Sequence, residues 1–142
     1  MPPTRPAPDS LILSLGAFDA TIQRLALAAR AAVIREAPDA AEAIGTGPSV
    51  VSVTFSFTGD TDDAFVYVSA AAEQVELGFS QGATLPDPHK KLLVDGGKKR
   101  KVKLVGAIDL RDPYLVGLVQ AAIAKAPREG SPKSAAAKKS AK

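Results

Sequence analysis

Apolar residues recur at helical spacing in the first part of the chain. Leu11, Ile12 and Leu15 form a short apolar turn that Gly16 interrupts. Asp19 then stands where an N-cap belongs. Behind it Ile22, Leu25, Ala26, Ala29, Val33 and Ile34 follow the i, i+3, i+4 spacing of a helix buried on one face. Pro38 ends this helix, because the residue before a proline avoids the αR region. Residues 39–44 are expected to add one further turn before Gly45-Thr46-Gly47-Pro48.

The period then changes from 3.6 to 2. In residues 49–57 (SVVSVTFSF), Val51, Val53, Phe55 and Phe57 alternate with Ser52, Thr54 and Ser56. This predicts a half-buried strand, apolar on one face and hydroxylated on the other. TGDTDDA follows as a turn, and residues 65–70 (FVYVSA) give a second strand, the two forming an antiparallel hairpin. A third strand is predicted at 75–79, with Val75, Leu77 and Phe79 on one side. A short fourth lies at 101–105, where Lys101 and Lys103 alternate with Val102 and Leu104.

The last helix carries the strongest start signal. Asp112 caps it, and Pro113 takes the first helical position, where a missing N–H costs nothing. Leu115, Leu118, Val119, Ala122 and Ile123 form its buried stripe, and Pro127 marks its end. Residues 1–9, with four prolines between positions 2 and 8, are expected to be extended and disordered. Residues 127–142 are Lys/Ala-rich, with too few large apolar groups to offset the cost of ordering. One domain at 10–126 remains. Its element order predicts an α+β two-layer sandwich, an antiparallel sheet of four to six strands covered on one face by the N- and C-terminal helices.

Composition narrows the chemistry. There is no cysteine, which removes disulfides, thiolate catalysis and cysteine-ligated zinc. No apolar run approaches the ~18 residues of a membrane span, and a cytoplasmic location is the expectation. The net charge of +3 is split, −7 over residues 1–88 and +10 over residues 89–142. Such asymmetry fits either an anionic partner or a solvated basic tail.

Residues 77–122 resemble the C-terminal half of the YdhG-like family of bacterial domains of unknown function. The matching features are Gly78-Phe79, Gly82, the Leu85-Pro86-Asp87-Pro88 turn, Leu92-Leu93, Gly97-Lys98, Val102-Lys103 and the Asp112-Pro113 helix start. The helix ending in REAPDAAEAI extends the similarity more weakly toward the N-terminus. The resemblance implies a two-layer fold of frataxin-like or YjbR-like type and brings no established reaction. Relatives carry an aromatic-Gly step before the first strand, where this chain has Gly45-Thr46-Gly47-Pro48 and no tryptophan.

Candidate chemistry is sparse. His89 is the sole histidine and sits between Pro88 and Lys90 in a loop, where a solvated side chain is the expectation. Asp60, Asp62 and Asp63 form the densest acidic cluster. Asp60-x-Asp62 superficially fits a calcium loop, but the later glutamate and the length are missing, so a turn with solvated aspartates is expected. An iron site would need several carboxylates along the first long helix, which offers only Asp19 and Glu36. No catalytic residue, metal or cofactor is therefore assigned. An enzyme would need a pocket joining His89, the aspartate cluster and a hydroxyl from distant loops. Lys90, Lys91, Lys98, Lys99, Arg100, Lys101 and Lys103 form a basic segment that lacks stacking aromatics.

The expectation is a non-enzymatic binding module for a small ligand or a protein partner. Its contact surface is the exposed sheet face or the adjoining loop, with Gly78, Phe79, Gly82, Pro86, Asp87 and His89 as candidates. The alternative is weak, sequence-neutral nucleic-acid binding through residues 90–103 and the tail lysines. The protein is expected to be a monomer, or a homodimer formed through an unpaired edge beside residues 49–57.

Overall fold

Gly16 separates two helices, as the pattern required. α1 (Asp9–Leu15) buries Leu11 and Leu15. α2 (Ala20–Glu36) buries Ile22, Leu25, Ala26, Ala29, Val33 and Ile34, and also Arg30. Asp19 occupies the N-cap position of α2 without bonding the helix through its side chain. The Ala37 N–H closes the last turn on the Val33 carbonyl, just before Pro38. These elements come from a computed structural model that describes residues 7–47, 49–85, 92–94 and 97–127. The expectations placed on residues 1–6 and 128–142, and on Pro86, Asp87, His89, Lys90 and Lys91, lie outside the described residues.

The further turn expected at 39–44 is instead a strand, β1 (Ala41–Thr46). AEAIG is no poor helix former, but pairing outweighs local propensity. β1 runs antiparallel to β2 (Val50–Ser56), from Ala41 opposite Ser56 to Thr46 opposite Val51. Its Glu42 meets the buried Arg30 of α2 in a two-pronged pair. Arg30 Nε donates to Glu42 Oε2 at 2.6 Å, and Nη2 donates to Oε1 at 2.7 Å. β1 also fills the edge beside residues 49–57, so the unpaired edge expected there for dimerisation does not exist.

The other strands are β3 (Val66–Ala71), β4 (Gln74–Phe79), the two-residue β5 (Leu93–Val94) and β6 (Arg100–Leu104). They assemble in the order β1-β2-β3-β4-β6-β5, each pair antiparallel. The two-residue alternation sends Val51, Val53, Phe55, Val66, Val68, Val75, Leu77 and Phe79 into one continuous core with the buried stripe of α2. α2 lies over β3 and β4, and α3 (Pro113–Lys125) packs beside it. Asp112 caps α3, its carboxylate accepting the Tyr114 N–H at 2.9 Å. The result is the expected α+β sandwich, helices on one face of an antiparallel sheet. The other face carries no helix among the described residues.

Candidate functional site

On the helix-free face, alternation fixes what each strand presents. Ser52 and Thr54 come from β2, Tyr67 and Ser69 from β3, Glu76 and Gly78 from β4, and Lys101 and Lys103 from β6. The hydroxylated side predicted for residues 49–57 is therefore the uncovered side. A concavity of about 620 Å³ lies on it. Its floor is low because the strand residues that form it, Ser52, Thr54 and Ser69, are small. Its walls are Tyr67, Lys99 before β6, Ser80 and Gln81 after β4, and the turn residues Thr61, Asp62 and Ala64.

Tyr67 and Gly78 are directly opposite across the β3–β4 ladder. The phenol ring lies over the glycine so closely that an added Cβ would sit 2.0 Å from the ring. Gly78→Ala is therefore expected to push the ring off the sheet and to cost about 1–3 kcal/mol. Urea midpoints for Gly78→Ala, Tyr67→Ala and the double variant test this: in the Tyr67→Ala background the alanine should be nearly free. An equal penalty in both backgrounds would place its cause elsewhere.

The charges in the concavity balance. Lys101 Nζ pairs with Glu76 at 3.0 Å and 3.3 Å from its two oxygens. The Lys99 ammonium stands 6.0 Å from the centre of the Tyr67 ring, at the outer reach of a cation–π contact. Asp62 contributes a second carboxylate from the turn. Thr54 donates its hydroxyl to the Ala43 carbonyl at 3.3 Å, which leaves its oxygen lone pairs available.

The residues singled out in the sequence separate on folding. Gly78 is buried beneath the Tyr67 ring and does not itself line the concavity. Phe79 is wholly buried on the opposite, helix-covered side, so it forms core and not contact surface. Gly82 is a packing position: an added Cβ would come within 2.3 Å of the Arg100 side chain and 2.9 Å of its backbone nitrogen. Arg100 in turn donates from Nη1 to the Gly97 and Lys99 carbonyls, both at 2.8 Å, which holds the turn that delivers Lys99. Lys98 and Lys103 are exposed. The described residues of the basic segment are thus divided among an ion pair, a turn brace and exposed cations.

The three aspartates of the 58–64 turn are likewise distinct. Asp60 caps the turn by accepting the Asp62 N–H at 2.9 Å, and Asp62 is exposed. Asp63 is buried, against expectation, and accepts the Thr58 hydroxyl at 2.8 Å. The turn folds inward because Phe65 enters the core and Phe57 stacks on it at 4.8 Å, drawing the intervening chain with them. Among the described residues no group of three acidic or histidine side chains is arranged to hold a metal ion.

Tyr67, Ser69, Glu76, Ser80 and Gln81 were not among the residues singled out in the sequence. The signal for Ser52 and Thr54 was present in the alternation of residues 49–57. Tyr67 carried no signal, because its importance depends on which residue faces it across the ladder. The fold supplies the aromatic that the basic segment lacks in sequence. No family model, curated protein or solved structure matches the chain.

Proposed function

We propose that this protein is a YdhG-like binding module that holds a small hydroxyl-bearing ligand, such as a sugar, on the uncovered sheet face without converting it. The observation that carries this reading is the 620 Å³ concavity and the kind of groups that line it. Hydroxyls act as both donors and acceptors and so match the hydroxyls of a polyol. Tyr67 supplies an aromatic surface for the C–H face of a sugar ring. Lys99 and Lys101 are balanced by Asp62 and Glu76, so the concavity has no net field to favour a highly charged ligand. The YdhG-like motif glycines support the family part of the proposal in that both are close-packing positions, Gly78 beneath the Tyr67 ring and Gly82 against Arg100. No helix among the described residues is long and apolar enough to cross a membrane. With the absence of cysteine this supports a cytoplasmic setting for the same module.

A titration with maltose followed by amide chemical shifts tests the proposal. Ser52, Thr54, Ser69 and Gln81 should shift together, with a Kd of about 1 mM or tighter. Tyr67→Ala should remove the effect, and the sugar should be recovered unchanged after prolonged incubation. Absence of shifts across a panel of mono- and disaccharides, or shifts that survive Tyr67→Ala, would refute the assignment.

A second reading is favoured by the exposed Lys98, Lys99 and Lys103, of which Lys99 stands by the Tyr67 ring. Cations next to a stacking surface are the ingredients of sequence-neutral single-strand binding. Gel-shift titration at two salt concentrations separates it from the first, since absence of binding at low salt eliminates it.

A further inference from the structure

A second cavity lies on the other side of the 61–64 turn, and its chemistry differs from that of the sheet face. It has a volume of about 260 Å³ and is walled by Phe65 and Leu85 and by Ala122 and Ala126 near the end of α3. Asp63, only 2 % exposed, contributes a carboxylate to this largely apolar lining. One oxygen of that carboxylate, Oδ2, accepts the Thr58 hydroxyl; the other, Oδ1, has no hydrogen-bond partner among the described residues. A carboxylate offers about four acceptor positions, and burying a charge without a partner is costly. The site therefore contains an acceptor suited to a donor or cation that the chain itself does not provide.

Two neighbours bear on the sign of the missing partner. Lys125 also borders the cavity, but its ammonium donates to the Thr84 carbonyl at 2.6 Å and is within ion-pair distance of no carboxylate among the described residues. The cavity also lies at the C-terminal end of α3, where the unsatisfied carbonyls of the last turn carry the negative end of the helix dipole. Lys125 offsets the helix end in part, but Asp62 and Asp63 outnumber it in the lining, so a positive group is favoured, and the apolar walls favour a hydrocarbon body attached to it. We infer that this cavity binds a small primary ammonium compound with an apolar body, its ammonium donating to Asp63 and its hydrocarbon part packed between Phe65, Leu85 and Ala122. The site is independent of the sugar-binding proposal, although Asp62, Ala64 and Gln81 border both cavities.

Benzylamine and its uncharged counterpart benzyl alcohol serve as probes on the full chain, read by amide chemical shifts at Phe65, Ala122 and Ala126. Benzylammonium is expected to shift these three at about 1 mM, with benzyl alcohol ~10-fold weaker. Asp63→Asn should lower the benzylammonium affinity to that of the alcohol. Where Asp63→Asn does not fold, Ala126→Leu, which keeps the carboxylate and fills the space, should abolish binding of both probes. Equal affinity for the two probes, full affinity in Asp63→Asn, undiminished binding in Ala126→Leu, or no shifts up to about 10 mM would each overturn the inference. Shifts confined to Ser52, Thr54 and Ser69 would place the amine on the sheet face and overturn it as well.

Discussion

Glu42→Ala is expected to destabilise the domain by about 3–5 kcal/mol, because it leaves the Arg30 guanidinium charged and without its carboxylate inside the α2–sheet interface. The side chains of the pair are only 5 % and 11 % exposed, and both Arg30 donors that reach Glu42 do so within 2.7 Å. Water screens and rehydrates a surface pair, so that losing one partner costs little. Here neither compensation is at hand. Urea denaturation should show the midpoint falling by about 1 M or more at unchanged slope. The double variant Arg30→Met/Glu42→Leu removes both charges and should recover most of the loss, since an apolar pair of similar volume is often at least as stable. A single-variant cost below about 1 kcal/mol would mean that the pair behaves as a surface one.

Phe79→Ala is expected to cost about 3–5 kcal/mol through lost burial and the cavity left behind. Phe79 is fully enclosed, among the largest side chains to be so, and lies at the end of β4 opposite Val66 and Arg100. Against a typical domain stability of about 5–15 kcal/mol this approaches the whole margin. The milder Phe79→Leu should cost no more than about 1.5 kcal/mol and stay folded. In that folded variant, sugar binding on the uncovered face should be unchanged, because Phe79 points to the opposite side of the sheet. A stable Phe79→Ala protein with impaired ligand binding would reverse this assignment and put Phe79 on the contact surface.

The two predictions lie on opposite sides of what the chain makes legible. Phe79 follows Val75 and Leu77 at strand spacing, so its burial is written in the pattern. Nothing adjacent in sequence explains Arg30 or Glu42. Arg30 continues the stripe of Ala26 at i+4, yet an isolated arginine in a helix reads as solvent-facing until a carboxylate is found for it. That carboxylate belongs to a segment whose alanines suggest one more helical turn. Only pairing with β2 makes it a strand and turns Glu42 toward the helices. The acidic turn shows the same limit: three aspartates of equal appearance become a cap, an exposed charge and a buried acceptor once Phe57 and Phe65 set the path of the loop.

Local periodicity by itself determined that this chain is a helix–sheet–helix α+β domain with a hydroxylated strand face, because 3.6- and 2-residue repeats reflect short-range backbone geometry. The start of α3 at Asp112-Pro113, the break at Gly16 and the strands of the central hairpin belong to this class. Which strand occupies the edge beside β2, that Tyr67 lies over Gly78 within reach of Lys99, and that Asp63 lines an apolar cavity were decided only by the tertiary structure. Each depends on register between segments distant in sequence, and cross-strand contacts of that kind leave no local pattern to read.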